Sequence, residues 1–298
     1  MADRTPVLRF ADVSQRYGRS VAVEGLDLEV YPGELVALVG PDGAGKTTAA
    51  RLAAGVILPS AGRVEFCRRG RAGYLSDRFS LYPDLTVREN ALFFGRVFGV
   101  RGRTLTSRVG QLLERVNLHP FADRLAGQLS GGMRQKLALV CALIHEPPVL
   151  ILDEPTTGLD PVARRDFWMF LRGVAESGTA ALITTPYMDE AEGCHRVGML
   201  HRGRLLAVDT PAALKSRVPV LMALLRPLPG SHFTRRELLA AARGLAGARW
   251  AQQVGGGVRV ALDPAGGRFP QPPPGMSLDV AGLSLEDVYV WLAGEVPA

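Results

Sequence analysis

Apolar and polar positions follow two rhythms along the 298 residues. Near the start, VLRFADV and LDLEV alternate one by one, the period of a half-buried strand, and YPGE reads as a turn between strands. LVALVG (35–40) is instead a continuous apolar run, the mark of a strand covered on both faces. A helix is predicted over 45 to about 54. RVEFCRRGRAGYL reads as a hairpin turning near Arg69-Gly70. Residues 83–146 read as helical: Thr86 and Glu89 form a T-x-x-E capping box, and Thr104, Phe121 and Ser130 open further helical stretches. Then strands and helices alternate: VLILD, a helix from Pro161, TAALIT, a helix from Pro186 capped by Thr185, RVGML and RLLAV. Such alternation predicts a mostly parallel sheet with helices packed on it. The pattern changes around 215–219. The remainder reads as strand (220–225), helix (234–243), two strands (249–253, 258–262), a Pro/Gly-rich loop, a strand, and a helix capped by Ser284 and Asp287. The expected division is a larger domain over 1–217, with a helical part at about 78–146, and a small α/β domain over 218–298.

Composition narrows this little. The chain is 47% hydrophobic and 21% charged, enough for one large or two modest cores, and its formal charge is +6. A mild basic balance suits nucleic acid, an anionic membrane face or a phosphate ligand without choosing between them. Lys46, Lys136 and Lys215 are the only lysines. Cys67, Cys141 and Cys194 are too scattered for a disulfide framework or a zinc site. No apolar leader is read at the start, and the longest apolar run, 137–144, is well short of the roughly 18–20 residues that span a bilayer.

Candidate chemistry changes the picture more. GPDGAGKTT follows a buried strand and opens a helix. Gly40, Gly45, Lys46 and Thr47 meet the pattern G-x-x-x-x-G-K-[ST]. Glycines let backbone N–H groups wrap a phosphate, and a helix N-terminus adds partial positive charge. Pro41, Asp42, Gly43, Ala44 and Thr48 complete the cradle; Lys46 would reach the β/γ-phosphates and Thr47 would bind Mg²⁺. VLILDE ends in two carboxylates. Asp153 is placed to hold Mg²⁺ through water, and Glu154 to polarise an attacking water, as the catalytic residue. LSGGMRQK places Leu129, Ser130, Gly131, Gly132 and Met133 at the mouth of a long apolar helix, where free N–H groups can meet a second phosphate, although a plain serine cap would look the same.

Together these motifs resemble the ATP-binding cassette (ABC) family over residues 5 to about 215. In that resemblance Tyr17 matches the aromatic that stacks on adenine, Gly40–Thr48 the Walker A loop and Val149–Glu154 the Walker B strand. Leu129–Met133 matches the signature, with Met133 where Gln is commoner, and Asp160 the D-loop. The implied fold is a P-loop nucleotide-binding domain with a mostly parallel core sheet, an antiparallel β subdomain and a helical subdomain, followed by the small C-terminal α/β domain. The implied function is Mg-ATP binding in a head-to-tail dimer that drives a separate multi-span membrane permease from the cytoplasmic membrane face. DRFSLYPDLTVRENALFFGRVFG and the ending GLSLEDVYVWLAG look like the subgroup that exports drugs, lipids or peptides. Permease docking is expected near residues 79–85.

Two positions depart from the family pattern. Asp77 stands where the family has a glutamine that binds Mg²⁺ and senses the γ-phosphate. Pro186 stands where the family has a switch histidine that donates to it. Loss of one such donor commonly costs about 2.7–4 kcal/mol of transition-state stabilisation. The stretch 63–73 is also shorter than the family's usual arm. The favoured reading is an asymmetric pair: this chain's own site is weak, while its intact signature completes a stronger site on a second ATPase subunit. A homodimeric transporter ATPase is the alternative. A cassette protein acting on nucleic acid or ribosomes is disfavoured, because the chain shows neither two cassettes nor a coiled-coil insertion.

Overall fold

The computed structural model describes residues 5–66, 71–76, 81–263 and 269–294. Cys67, Asp77 and Phe79 lie outside these. The chain divides into two compact units, Met1–Val208 and Asp209–Ala298.

The first unit begins with β1 (Leu8–Tyr17), β2 (Ser20–Val30), β3 (Leu35–Val39) and α1 (Lys46–Ala53). β4 (Ala61–Phe66), β5 (Gly73–Leu75), α2 (Val87–Val97), α3 (Gly102–Arg115) and α4 (Gly131–Leu143) follow. It continues through β6 (Val149–Asp153), α5 (Pro161–Glu176), β7 (Ala180–Thr185), the single-turn α6 (Met188–Ala191), β8 (Arg196–His201) and β9 (Arg204–Asp209). Two sheets result: an antiparallel one in the order β2-β1-β4, and a six-stranded one in the order β5-β6-β7-β3-β8-β9 whose pairs from β5 to β8 are parallel. Every residue of β3, β6 and β7 is buried, which is why β3 reads as an unbroken apolar run and β6 and β7 turn polar only at their C-terminal ends. Leu38, Ala49, Leu52, Ile151 and Leu182 belong to the core beneath the nucleotide loop. At about 1.5–3 kcal/mol for each fully buried large apolar side chain, that core holds the strand ends in place.

α2, α3 and α4 share a second core with Leu81, Leu105, Leu113, Leu137 and Ile144. α2 starts at a complete capping box between Thr86 and Glu89. Asn90 is fully buried; its Nδ2 donates to the carbonyls of Tyr82, Leu85 and Thr86, and its Oδ1 accepts from Tyr82 N–H.

The structure corrects several local expectations. β4 and β5 do not pair as a hairpin: β4 joins β1 in the antiparallel sheet and β5 joins β6 in the parallel one. Alternation marks a strand but does not name its partner. Phe121 ends a short 3-10 turn, His119–Phe121, rather than opening a helix, and a second such turn covers Ala126–Gln128. Apolar residues here serve the α2–α4 core, to which Leu118, Ala122 and Ala126 belong. α3 begins at Gly102, ahead of Thr104. The helix after β7 starts at Met188, not at Pro186; Thr185 Oγ1 accepts from Tyr187 N–H at 3.0 Å and forms a turn before it.

The second unit holds α7 (Pro211–Ser216), β10 (Leu221–Pro227), α8 (Arg235–Arg243), β11 (Ala248–Val254), β12 (Gly257–Leu262), β13 (Met276–Ala281) and α9 (Leu285–Ala293). Its antiparallel sheet has the order β11-β12-β10-β13. Leu225, Leu238, Val258 and Val260 form its own core. α7, which the sequence reading left with the larger domain, packs against α9.

Candidate nucleotide site

The loop after β3 carries the cradle. Pro41, Asp42 and Gly43 are exposed on its rim, while Lys46 is 4% exposed beneath it. Gly45 has φ 105°, and a Cβ there would lie 2.4 Å from Ala22 O; at Gly40 it would lie 2.3 Å from Leu200 O. Only glycine fits either place. Gly45 is also the N-cap of α1 and has no side chain to cap it, so the first N–H groups of the helix keep their partial positive charge for a ligand. Lys46 Nζ donates to Gly40 O at 3.0 Å and Pro41 O at 3.1 Å, and lies 3.5 Å from Glu154 Oε1.

The end of β6 faces this loop. Asp153 is fully buried, and its Oδ1 accepts from Thr47 Oγ1 at 3.2 Å and from Thr184 Oγ1 at 2.6 Å. Glu154 sits at φ 48°, a left-handed conformation unusual for a non-glycine residue. Its N–H is fixed by both Thr184 O and Thr184 Oγ1, each at 3.0 Å. Lys46, Thr47, Asp153 and Glu154, brought together from two segments about a hundred residues apart, thus share one edge of the sheet. Among the described residues no group of three or more His, Cys, Asp or Glu is placed to hold a metal ion. One hydroxyl beside one buried carboxylate fits Mg²⁺ shared with a phosphate, since that ion keeps water and phosphate oxygens and rarely takes an all-protein cage.

The two threonines ending β7 point to opposite sides, as the strand period of two requires. Thr184 holds Asp153. Thr185 Oγ1 donates to Glu190 Oε2 at 3.1 Å. Thr156 Oγ1 sits between both oxygens of the same carboxylate, at 2.8 and 2.7 Å. Arg164 Nε is 3.2 Å from Glu190 Oε1, too misaligned for a hydrogen bond, and the Arg164 guanidinium lies 4.6 Å over the Tyr187 ring. Burial pushes the Glu190 carboxyl above its ordinary range, while Thr156, Thr185 and Arg164 pull it back. Pro186 lies between these anchors. The sequence reading missed this cluster; Thr-Thr at a strand end followed by an acidic segment was its only trace. His195 serves the backbone, its Nδ1 accepting from Leu35 N–H at 2.9 Å.

The remaining residues lie elsewhere. Ser130 caps α4, its Oγ accepting from Met133 N–H at 3.3 Å. Among the described residues no hydrogen bond or ion pair joins 129–133 to the phosphate loop. A Cβ on Gly132 would lie 2.9 Å from Ala163 Cβ, so the signature helix runs tight against α5, and Lys136 Nζ pairs with Asp166 at 3.0 Å. Leu129 is buried in the helical core. Asp160 is the N-cap of α5, accepting from Val162 and Ala163 N–H at 3.0 and 2.9 Å. Tyr17 ends β1 half exposed. Asp77, assigned to the metal by resemblance, lies outside the described residues.

Comparison with known proteins gives a consistent result. A family model described as ABC transporter matches residues 23–157. The chain is 43% identical over 218 residues to the Nod factor export ATP-binding protein I of Paraburkholderia xenovorans (strain LB400), covering 70% of this chain and 72% of that one. It is 37% identical over 221 residues to the probable multidrug ABC transporter ATP-binding protein YbhF of Escherichia coli (strain K12), covering 71% of this chain and 38% of the relative. The match thus spans well under half of YbhF. A solved ATP-binding subunit of an ABC transporter superposes with a TM-score of 0.65 at 29% identity, over 71% of this chain and 92% of that one. A dimeric ATP-binding cassette in a post-hydrolysis state, bound to ADP and Pi, superposes with a TM-score of 0.61 at 26% identity, over 68% and 98%.

Proposed function

The chain belongs to the ABC transporter family of ATP-binding proteins, and from that premise we propose that it is the nucleotide-binding subunit of an exporter, binding Mg-ATP at a dimer interface to drive a separate permease. The observation that carries this is the convergence of Lys46, Thr47, Asp153 and Glu154 on one sheet edge. The loop N–H groups and Lys46 take the β/γ-phosphates. Thr47 and Asp153 hold Mg²⁺, which offsets phosphate charge. Glu154 orients the attacking water. Tyr17 is exposed where an adenine can stack. Residues 129–133 are the signature that meets the nucleotide of a partner subunit; the likeness to a dimeric cassette supports that arrangement. The likeness to a Nod factor export ATP-binding protein supports export. No helix among the described residues is long and apolar enough to cross a membrane; the subunit's place in this reading is the cytoplasmic membrane face, against its permease.

The subunit's own site is weakened. Pro186 has no side-chain donor for the γ-phosphate, and Asp77 replaces the expected glutamine. A second ATPase subunit with both groups supplies the stronger site, completed by this chain's signature. The test is the Mg-ATP turnover of the purified chain beside Glu154→Gln. Binding with slow turnover, abolished by Glu154→Gln, is expected. A rate typical of a complete transporter would exclude the weak site and return the homodimer. The permease docks near the loop around Tyr82, which is 47% exposed and packs edge-on to Phe93 with ring centroids 4.9 Å apart. Tyr82→Arg is expected to keep ATP binding and lose recruitment to membranes that carry the permease; unchanged recruitment and transport would exclude docking there.

A further inference from the structure

The carboxylate of Glu190 is 3% exposed and is held by two threonine hydroxyls beside the Arg164 guanidinium. Thr156 follows the catalytic strand, Thr185 ends β7, and Arg164 stands one turn into α5, the helix capped by Asp160. Thr185 Oγ1 is already occupied as an acceptor by Tyr187 N–H, which leaves its proton for Glu190. Arg164 also covers the Tyr187 ring, so one side chain touches both Glu190 and the residue after Pro186. An ionised carboxylate suits this set: the Arg164 guanidinium beside it is positive, Thr185 is committed to donating, and Thr156 has a proton to give. Proline at 186 offers no side-chain group that could fix this strand end to a ligand, so the segment is fixed from behind.

We propose that Glu190 is a positioning residue of the nucleotide site, its carboxylate fastening the segment after Glu154, the Asp160 helix and the Pro186 turn into one piece. It rests on the reading of the chain as an ATP-binding cassette. Glu190 touches no reacting atom; it acts through Thr156 on the backbone next to Glu154, and through Arg164 on the helix that presents Asp160 to a second subunit.

The test uses the full chain. Glu190→Gln keeps the size and one acceptor but loses the charge opposite Arg164. Affinity for a fluorescent ATP analogue should stay within about twofold, while single-turnover cleavage of labelled Mg-ATP slows about tenfold or more, because small misplacements cost rate before they cost binding. The unfolding midpoint should not fall. Arg164→Gln should slow cleavage likewise, and the double variant should be no slower than the worse single one, as for residues acting as a unit. Cleavage at the wild-type rate in Glu190→Gln, or affinity, rate and midpoint falling together, would overturn the proposal. Should the wild type bind ATP without measurable cleavage, hydrogen exchange decides. Nucleotide should protect 157–163 and 184–191 together in the wild type and only one of them in Glu190→Gln; identical protection in both proteins overturns it. If Glu190→Gln folds poorly, Thr156→Val removes the two shortest contacts and serves the same comparison. A wild-type chain that binds no Mg-ATP would remove the underlying reading, and this inference with it.

Discussion

Glu190 carries an energetic cost that can be measured apart from any turnover. Burial raises its pKa above the ordinary value of 4.5, the nearby Asp189 adds to this, and Thr156, Thr185 and Arg164 only partly offset it. The folded state therefore binds this proton more tightly than the unfolded one between 4.5 and the raised value. Stability from this group is complete below that window and falls as pH rises through it. Glu190→Gln should flatten the stability profile above pH 4.5 and be at least as stable as the wild type near neutrality, as read by urea unfolding across a pH series. A stable variant with a slow site would show that the charge is kept for positioning. The same scale shows what a sequence can disclose. Gly40, Gly45, Lys46 and Asp153 were legible because the chemistry of a phosphate and a cation demands those residue types at those spacings. Glu190 was not, because its partners at 156, 164 and 185 come from separate elements and meet only in the fold.

Among the elements, α2 is where local signals decide most. Its capping box is complete, with Glu89 Oε2 accepting from Thr86 N–H at 2.8 Å and Thr86 Oγ1 accepting from Glu89 N–H at 3.1 Å. Thr86→Ala should destabilise the first unit by about 1 kcal/mol, the usual loss for an N-cap, in a denaturant titration. Caps at Thr86, Ser130 and Ser284 were readable because the bonds they make are local. Partnerships across space were not: the residues before and after 67–72 looked like one hairpin and belong to two sheets. The helix expected from Phe121 failed for a related reason. Pro120 and the apolar spacing around it serve a turn packed on α2–α4, and spacing cannot separate that from a short helix.

Taken whole, the molecule has two units with separate cores, and the phosphate loop and the strand ends around it lie in the first. Trp168 reports on that unit; Trp250 and Trp291, with ring centroids 6.0 Å apart, report on the second. Trp168 Nε1 has no hydrogen-bond partner among the described residues, so phenylalanine there sacrifices no bond. In a chain retaining only Trp168, Mg-ATP at a hundred times its Kd should stabilise by about 2.7 kcal/mol. In Trp168→Phe, fluorescence unfolding should show no such shift; equal shifts would mean that the units melt as one. What the first unit does with its nucleotide depends on how motion leaves it. Asn90 ties the carbonyls of Tyr82, Leu85 and Thr86 and the N–H of Tyr82 to the body of α2. One buried side chain thus fastens the Tyr82 loop to the first turn of α2, so neither can shift without stretching or breaking bonds to the other, and Asn90 acts as a rivet between them.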